Sequence, residues 1–176
     1  MQRYIEKARK TFWSTDEKDF RGLLDDGLGF AFAYFLGIFL IGFVLNLIVM
    51  TLSSGGNLAA AILMGAFVFV SYAVGPGIIL PAATFILLFI MAKKPSIDEV
   101  FQMYFYGATP SMLMSWVPCI GVFTPLVSFG NVFRGIREIK KLSFFETLIA
   151  VLVPALIYWG FWMFFIVGVI TAAGGA

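Results

Sequence analysis

The longest segment without a charged side chain covers residues 27–92, and two more charge-free segments cover residues 100–133 and 147–176. Of the 176 residues, 61% are hydrophobic and only 12% are charged. A typical soluble domain carries about 25% charged residues, and so few charges could not cover the surface of a water-soluble globule of this size. The sequence therefore predicts a polytopic membrane protein.

The apolar segments predict an all-α fold, a polytopic membrane helical bundle with five transmembrane helices. About 20 residues are needed for one helical crossing, which places the spans at about 28–50, 58–92, 97–117, 119–137 and 144–170. Residues 58–92 are too many for one straight span and too few for two. With Gly75-Pro76-Gly77 at its middle, this block is expected to be one crossing that is long, tilted or broken. Residues 27–176 then form a single transmembrane domain.

Lysine and arginine occur in three clusters only: residues 3–21, Lys93-Lys94, and residues 134–141. The positive-inside tendency places all three clusters on the cytoplasmic face. This orientation puts the N-terminus inside and the C-terminus outside. The third and fourth spans form a hairpin that turns at Pro118, and a re-entrant hairpin that never reaches the far side remains an alternative.

Residues 1–26 are expected to form a cytoplasmic amphipathic tail and an acidic linker. Ile5, Ala8 and Phe12 fall on one helical face, which is typical of a short helix lying on a membrane surface. The acidic residues that follow, up to Asp25 and Asp26, link this helix to the first span.

The pattern Lys-Lys-x-Ser-x-x-Glu occurs twice, at residues 93–99 and 140–146. Serine followed three residues later by glutamate predicts a capping box at each helix start. Two helices that start at one interface by the same physics explain the repeat, and an internal duplication or a shared partner-binding face is the alternative. The candidate partner-docking residues on this face are Lys93, Lys94, Asp98, Glu99, Arg134, Arg137, Glu138, Lys140 and Lys141.

Prolines lie inside the predicted spans, where each removes a helical hydrogen bond and frees a carbonyl four residues earlier. Pro110, for example, would free the carbonyl of Tyr106. Such prolines either kink helices for packing or expose carbonyls to a polar cavity or hinge. The candidate hinge or cavity residues are Gly75, Pro76, Gly77, Pro110 and Pro154.

The absence of histidine and the single cysteine, Cys119, remove the usual metal ligands and the Ser-His-Asp and Cys-His catalytic groups. No catalytic, cofactor-binding or metal-binding residue is predicted, and no cofactor is expected. A net charge of +2 gives no electrostatic footprint for nucleic acid. The lack of a charged group at membrane depth argues against a proton-coupled pump.

Several motifs occur in an order that resembles the Yip1 domain family. They include Tyr104-Phe105-Tyr106-Gly107-Ala108-Thr109-Pro110, a Trp116-x-Pro118-x-x-Gly121 hairpin and a Gly135-x-x-Glu138 exit. The resemblance covers roughly residues 20–170 and implies a five-span fold without catalytic residues. Eukaryotic members bind Rab-type GTPases through their cytosolic regions. The short basic tail of this chain is similar to the bacterial and archaeal branch, which implies a multi-pass protein of the prokaryotic inner membrane.

Together these observations predict a non-enzymatic integral membrane protein that organises membranes or docks partners through its cytoplasmic face. The expected partners are the lipid bilayer, a cytoplasmic protein and a second copy of the chain, with no nucleic acid. The alternative is a passive channel or transporter for a small neutral or lipidic solute. An intramembrane enzyme would need a site built from edge residues such as Asp98, Glu99 and Glu138.

Overall fold

A computed structural model describes residues 5–6, 17–53, 58–117 and 120–174, and within these ranges the protein is all-helical, without strands. The predicted all-α class is confirmed. The predicted tail helix and the predicted turn at Pro118 lie outside these ranges, apart from Ile5 and Glu6, which are helical. The described residues from Glu17 onward form seven helices: α1 (Glu17–Leu24), α2 (Gly27–Ser53), α3 (58–90), α4 (Ile97–Gly107), α5 (Thr109–Met114), α6 (Ile120–Lys140) and α7 (144–174).

Helix α3 runs without a break through Gly75-Pro76-Gly77. It consists of Leu58–Val74, a π-helical turn at Gly75–Ile79, and Leu80–Ile90. The wider π turn accommodates Pro76 and Pro81, which cannot donate backbone hydrogen bonds, without ending the helix. At about 1.5 Å per residue the whole helix is roughly 50 Å long. The block is thus one long helix without the break predicted at Gly75-Pro76-Gly77, and its tilt in a membrane stays a prediction.

Helix α7 contains a second π-helical turn, at Leu148–Leu152, directly before Pro154. The helix begins as Phe144–Thr147 and continues after the turn as Val153–Gly174. Two proline-containing apolar helices of this protein thus each contain a π-helical turn near a proline.

The prediction of one helix over residues 97–117 is wrong in detail, because the helix is interrupted at Ala108 between α4 and α5. Pro110 provides the physical reason, since its nitrogen cannot donate to the Tyr106 carbonyl. The Thr109 hydroxyl donates to that carbonyl instead, at 2.6 Å. The carbonyl that Pro110 frees is therefore satisfied by the neighbouring side chain.

Helices α4 and α5 lie at the centre of the bundle, because all residues from Gln102 to Met112 are buried. A helix that is buried on every side belongs to the interior of a fold. Helix α2 packs along both α4 and α5, α3 packs on α2 and α4, and α6 packs on α4 and α5. The hydroxyl of Tyr34 on α2 lies 3.0 Å from the Thr109 hydroxyl. Because the one proton of Thr109 goes to the Tyr106 carbonyl, Tyr34 is the donor.

The chain order brings the turn between α3 and α4 and the turn between α6 and α7 to one end of the bundle, which we call the charged end. Helix α1 packs there against α4 and α6, and its Leu23 is only 1% exposed.

Among the residues that the structure describes, two helices are long and apolar enough to cross a membrane, Gly27–Ser53 and Phe144–Phe164, and Gly75–Ile90 is a shorter apolar helix. Large apolar side chains are exposed along several helices, including Leu63, Phe89, Leu126 and Phe164. Contiguous exposed apolar surface marks contact with lipid or with another protein.

Candidate functional site: the charged end and an inter-helix cavity

The two Lys-Lys-x-Ser-x-x-Glu turns meet at the charged end and exchange ion pairs. Lys93 of the first turn lies 2.6 Å from Glu146 of the second, measured from Nζ to Oε1. In return, Lys140 of the second turn forms an ion pair with Glu99 of the first. The first lysine of each motif thus binds the glutamate of the other motif. This exchange joins the α3–α4 turn to the α6–α7 turn.

The backbones of the two turns are also alike. The second lysine of each motif has a left-handed backbone conformation, with φ of 46° at Lys94 and 52° at Lys141. Each preceding helix closes with a hydrogen bond that spans five residues: Lys93 N donates to the Leu88 carbonyl after the left-handed Ala92 (φ 58°), and Leu142 N donates to the Arg137 carbonyl after the left-handed Lys141. This closure is typical of a helix C-terminus that ends in a left-handed residue.

Only one of the two predicted capping boxes forms. At Ser143 the side chain accepts from Glu146 N at 3.3 Å, and Ser143 N donates to Glu146 Oε2 at 2.8 Å. Ser96 makes no side-chain capping bond, so the prediction for Ser96 and Glu99 is wrong. Glu99 instead pairs with Lys140 through Oε2. The two oxygens of Glu146 divide the two tasks, because Oε1 pairs with Lys93 while Oε2 caps the helix.

The remaining predicted docking residues lie at the same end. Glu138 is half-buried, whereas Lys94, Asp98, Arg134, Arg137 and Lys141 are exposed. Lys140 is the more enclosed lysine of the two ion pairs, with 13% of its side chain exposed against 32% for Lys93. Its ammonium group also approaches the Lys94 carbonyl at 3.5 Å. No group of three potential metal ligands occurs among the residues that the structure describes.

A cavity of about 70 Å³ lies deeper in the bundle, where α3, α4, α5, α6 and α7 come together. Each of these elements is irregular or interrupted near it: π turns in α3 and α7, the α4–α5 break at Ala108, and Pro125 inside α6. Irregular helical backbone at such depth is typical of sites that line a cavity. The lining residues are Pro76, Leu80, Tyr104, Ala108, Ser111, Pro125, Ser128, Phe129, Val132, Val151, Ala155 and Trp159.

Hydroxyl groups are the only polar side-chain groups of the cavity besides the Trp159 ring nitrogen. Ser111 donates to Ser128 through its hydroxyl at 2.8 Å and through its backbone N–H at 3.0 Å. The Tyr104 hydroxyl lies 2.6 Å from that of Thr84. None of the lining residues is charged. The cavity therefore suits a neutral occupant.

The predicted hinge or cavity residues do not all reach one site. Pro76 lines the cavity, while Pro154 lines a separate apolar groove of about 400 Å³ between α3 and α7. Gly75 and Gly77 are buried in the π turn of α3, and a Cβ at Gly75 would overlap the Tyr158 ring. The Tyr158 hydroxyl donates to the Ser71 carbonyl at 2.6 Å, which ties α7 to α3 beside this turn.

Pro110, the fifth of these predicted residues, is buried at the α4–α5 junction, next to Ser111. It lines neither of the two cavities described above.

Sequence reasoning did not assign Tyr104, Ser128 or Trp159 to a site. One signal was present, because Tyr104, Ala108 and Ser111 follow the helical spacing of one face. The carboxylates of the enzyme alternative, Asp98, Glu99 and Glu138, are absent from the cavity lining.

Comparisons with protein families, curated proteins and solved structures find no match for this chain.

Proposed function

We propose that this chain is a non-enzymatic, multi-pass integral membrane protein of the Yip1-like type, which docks a soluble partner on its charged end. In this proposal the bundle crosses the membrane five times, through α2, α3, α4–α5, α6 and α7. The charged end faces the cytoplasm of a prokaryotic cell, and the bilayer surrounds the rest.

The distribution of polar and apolar surface supports the membrane placement. The described charged side chains from Arg21 onward all belong to the charged end, and the opposite part of the bundle exposes apolar side chains such as Leu63 and Phe164. Helices Gly27–Ser53 and Phe144–Phe164 have the length and apolarity of membrane spans. The shorter α6, with Arg134 and Arg137 in its last two turns, crosses if these long side chains extend to the interface.

The reciprocal ion pairs carry the docking proposal. They hold two turns from distant parts of the chain side by side, so the exposed charges around them form one continuous surface. Apart from the residues of these two ion pairs, the predicted docking set contains four basic and two acidic side chains, a net of two positive charges, and Arg21, Asp25 and Asp26 at the same end bring this net to one. A surface preordered in this way suits a partner with an acidic surface.

Photocrosslinking in living cells tests the docking proposal. A benzoyl-phenylalanine placed at Asp98 or at Arg137, both exposed, should give an adduct with one and the same soluble protein. The control position is Leu126 on α6, which is 67% exposed among apolar neighbours and should crosslink only to lipid. Replacing both Lys94 and Lys141 by glutamate should reduce the adduct on the order of tenfold. Equal adducts from the charged end and from Leu126, or none from the charged end, would contradict the proposal.

A passive conduit for a small neutral solute is the second candidate function. Its support is the uncharged cavity at the meeting point of irregular helices. Reconstituted vesicles should then show solute flux that falls when Ala155, which lines the cavity, is replaced by phenylalanine. Flux equal to that of protein-free vesicles for a series of small polyols would rule this function out.

A further inference from the structure

One hydroxyl proton in the wall of the cavity has no hydrogen-bond acceptor among the lining residues. Ser111 and Ser128 have two hydroxyl protons between them, and the bond from Ser111 to Ser128 uses one. Ser128 also accepts the backbone N–H of Ser111, which occupies its second lone pair. No other partner of either hydroxyl occurs among the described residues. The Ser128 proton, in a residue only 8% exposed, is therefore left for an acceptor in the cavity.

The second hydroxyl pair leads to the same result. Tyr104 and Thr84 share one hydrogen bond, although each hydroxyl has a proton to donate. Tyr104 is 4% exposed and Thr84 is fully buried, so solvent does not satisfy the remaining proton. A buried donor without an acceptor costs free energy. Ser128 is therefore the unused hydroxyl donor of the cavity wall, and the other pair leaves a further buried proton on Tyr104, which lines the cavity, or on Thr84, which does not.

The cavity opens sideways between α6 and α7. These two helices pack together through residues 144–152 at the charged end, and the remainder of α7 packs mainly on α3. Farther along, the opposing cavity residues are Pro125 and Phe129 on α6 and Ala155 and Trp159 on α7. Trp159 is 41% exposed, so the opening faces the apolar surroundings of the bundle.

We propose that this cavity binds the ester carbonyl of an acyl lipid, which enters between α6 and α7. The Ser128 hydroxyl, a donor without a charge, matches an uncharged carbonyl acceptor, and the apolar walls match the adjoining methylene groups. A volume of about 70 Å³ corresponds to roughly two water molecules, which is enough for an ester group but not for a headgroup. The lipid chains remain in the bilayer, so this site rests on the membrane placement proposed above.

Native mass spectrometry of the detergent-purified full chain tests the site. The protein is first shown to sediment with membranes and resist carbonate extraction, because failure at that stage contradicts the proposed function and not the cavity assignment. Delipidated protein is then titrated with a diacyl phosphatidylcholine and with the diether lipid of the same chains and headgroup. The proposal predicts one tightly bound diacyl lipid and binding of the diether lipid weaker on the order of tenfold, because ether oxygens are poorer acceptors.

Substitutions locate the bound lipid. Ala155→Phe fills the cavity and should abolish the one-lipid adduct, whereas Ala33→Phe on the exposed side of α2 should retain it. Ser128→Ala removes the donor and should bring diacyl binding down to the diether level. Equal binding of the two lipids to the wild-type protein would overturn the proposal, as would an adduct that survives Ala155→Phe. Absence of any retained lipid would mean that water alone occupies the cavity, which also overturns it.

Discussion

Lys93 and Glu146 lie 2.6 Å apart, although one follows α3 and the other lies in the first turn of α7. Together with the pair between Lys140 and Glu99, this contact locks two sequence repeats into one structural unit. Each glutamate is the last residue of its own motif, and each partner lysine is the first residue of the other. The two copies of the motif therefore contact each other through two reciprocal ion pairs.

The two ion pairs should differ in strength because they differ in exposure. Double-mutant cycles with alanine should give only a small coupling free energy for Lys93 and Glu146, as is usual for exposed pairs. The coupling of Lys140 and Glu99 should be larger, at about 1 kcal/mol, since only 13% of the Lys140 side chain is exposed. Thermal unfolding in mild detergent provides the measurement. A larger coupling for the Lys93 pair would contradict this ranking.

The capping hydrogen bond of Glu146 and its ion pair with Lys93 should make separate contributions to stability. Glutamine at this position can still accept from Ser143 N, so Glu146→Gln should lose only the ion pair. Glu146→Ala should lose both and lower the free energy of unfolding further than Glu146→Gln does. The matched change Glu99→Gln against Glu99→Ala should show no such difference, because Ser96 has no side-chain cap.

Thr109 should be essential to the junction between α4 and α5. Thr109→Val keeps the shape but removes the donor to the Tyr106 carbonyl and the acceptor for Tyr34, and it should cost about 1–3 kcal/mol. Thr109→Ser retains the hydroxyl and should cost less than half as much. If the valine variant unfolds at the wild-type temperature, the carbonyl freed by Pro110 is satisfied in another way.

The close contact between α2 and α5 depends on Gly42. A Cβ at this position would overlap the carbonyl oxygen of Met112, so Gly42→Ala should destabilise the bundle by about 1–3 kcal/mol. Gly160→Ala is the matched control, because no atom lies within 4 Å of its Cβ position. That change should be neutral or stabilise α7 by up to about 1 kcal/mol. Similar unfolding temperatures for both variants would contradict this packing.

The charge pattern was sufficient to predict the helix order, because residues 27–92 have no charge and the lysine pairs must then lie at the turns. Hydrophobic periodicity and segment length could not predict the π-helical turns. These turns occur beside Pro76 and Pro154, where each helix continues past a proline. The sequence also could not predict that the first lysine of each motif pairs with the glutamate of the other motif. Each glutamate has a serine three residues before it, yet only Ser143 forms a capping box, a difference that two copies of one motif could not indicate.

The candidate site, too, was only partly predictable from the sequence. The exposed charged residues of the charged end could be named from the sequence, because isolated charges beside apolar segments are expected at helix ends, whereas their role in docking stays a prediction. Tyr104 and Ser128 belong to different helices that meet only in the folded bundle. Hydroxyl groups in apolar helices usually form helix-to-helix hydrogen bonds, so their types alone did not indicate a cavity.

Cysteine accessibility in intact cells tests the central claim, a multi-pass bundle with its charged end in the cytoplasm. The native Cys119 falls in the sequence between α5 and α6, a connection that the five-span arrangement places on the side opposite the charged end. A second variant, Cys119→Ser with Ser96→Cys, moves the only thiol to an exposed position at the charged end. A membrane-impermeant maleimide should label Cys119 of the native chain in intact cells and should label the introduced thiol of the variant only after permeabilisation. Labelling of the variant in intact cells, with Cys119 of the native chain protected until permeabilisation, would contradict the account.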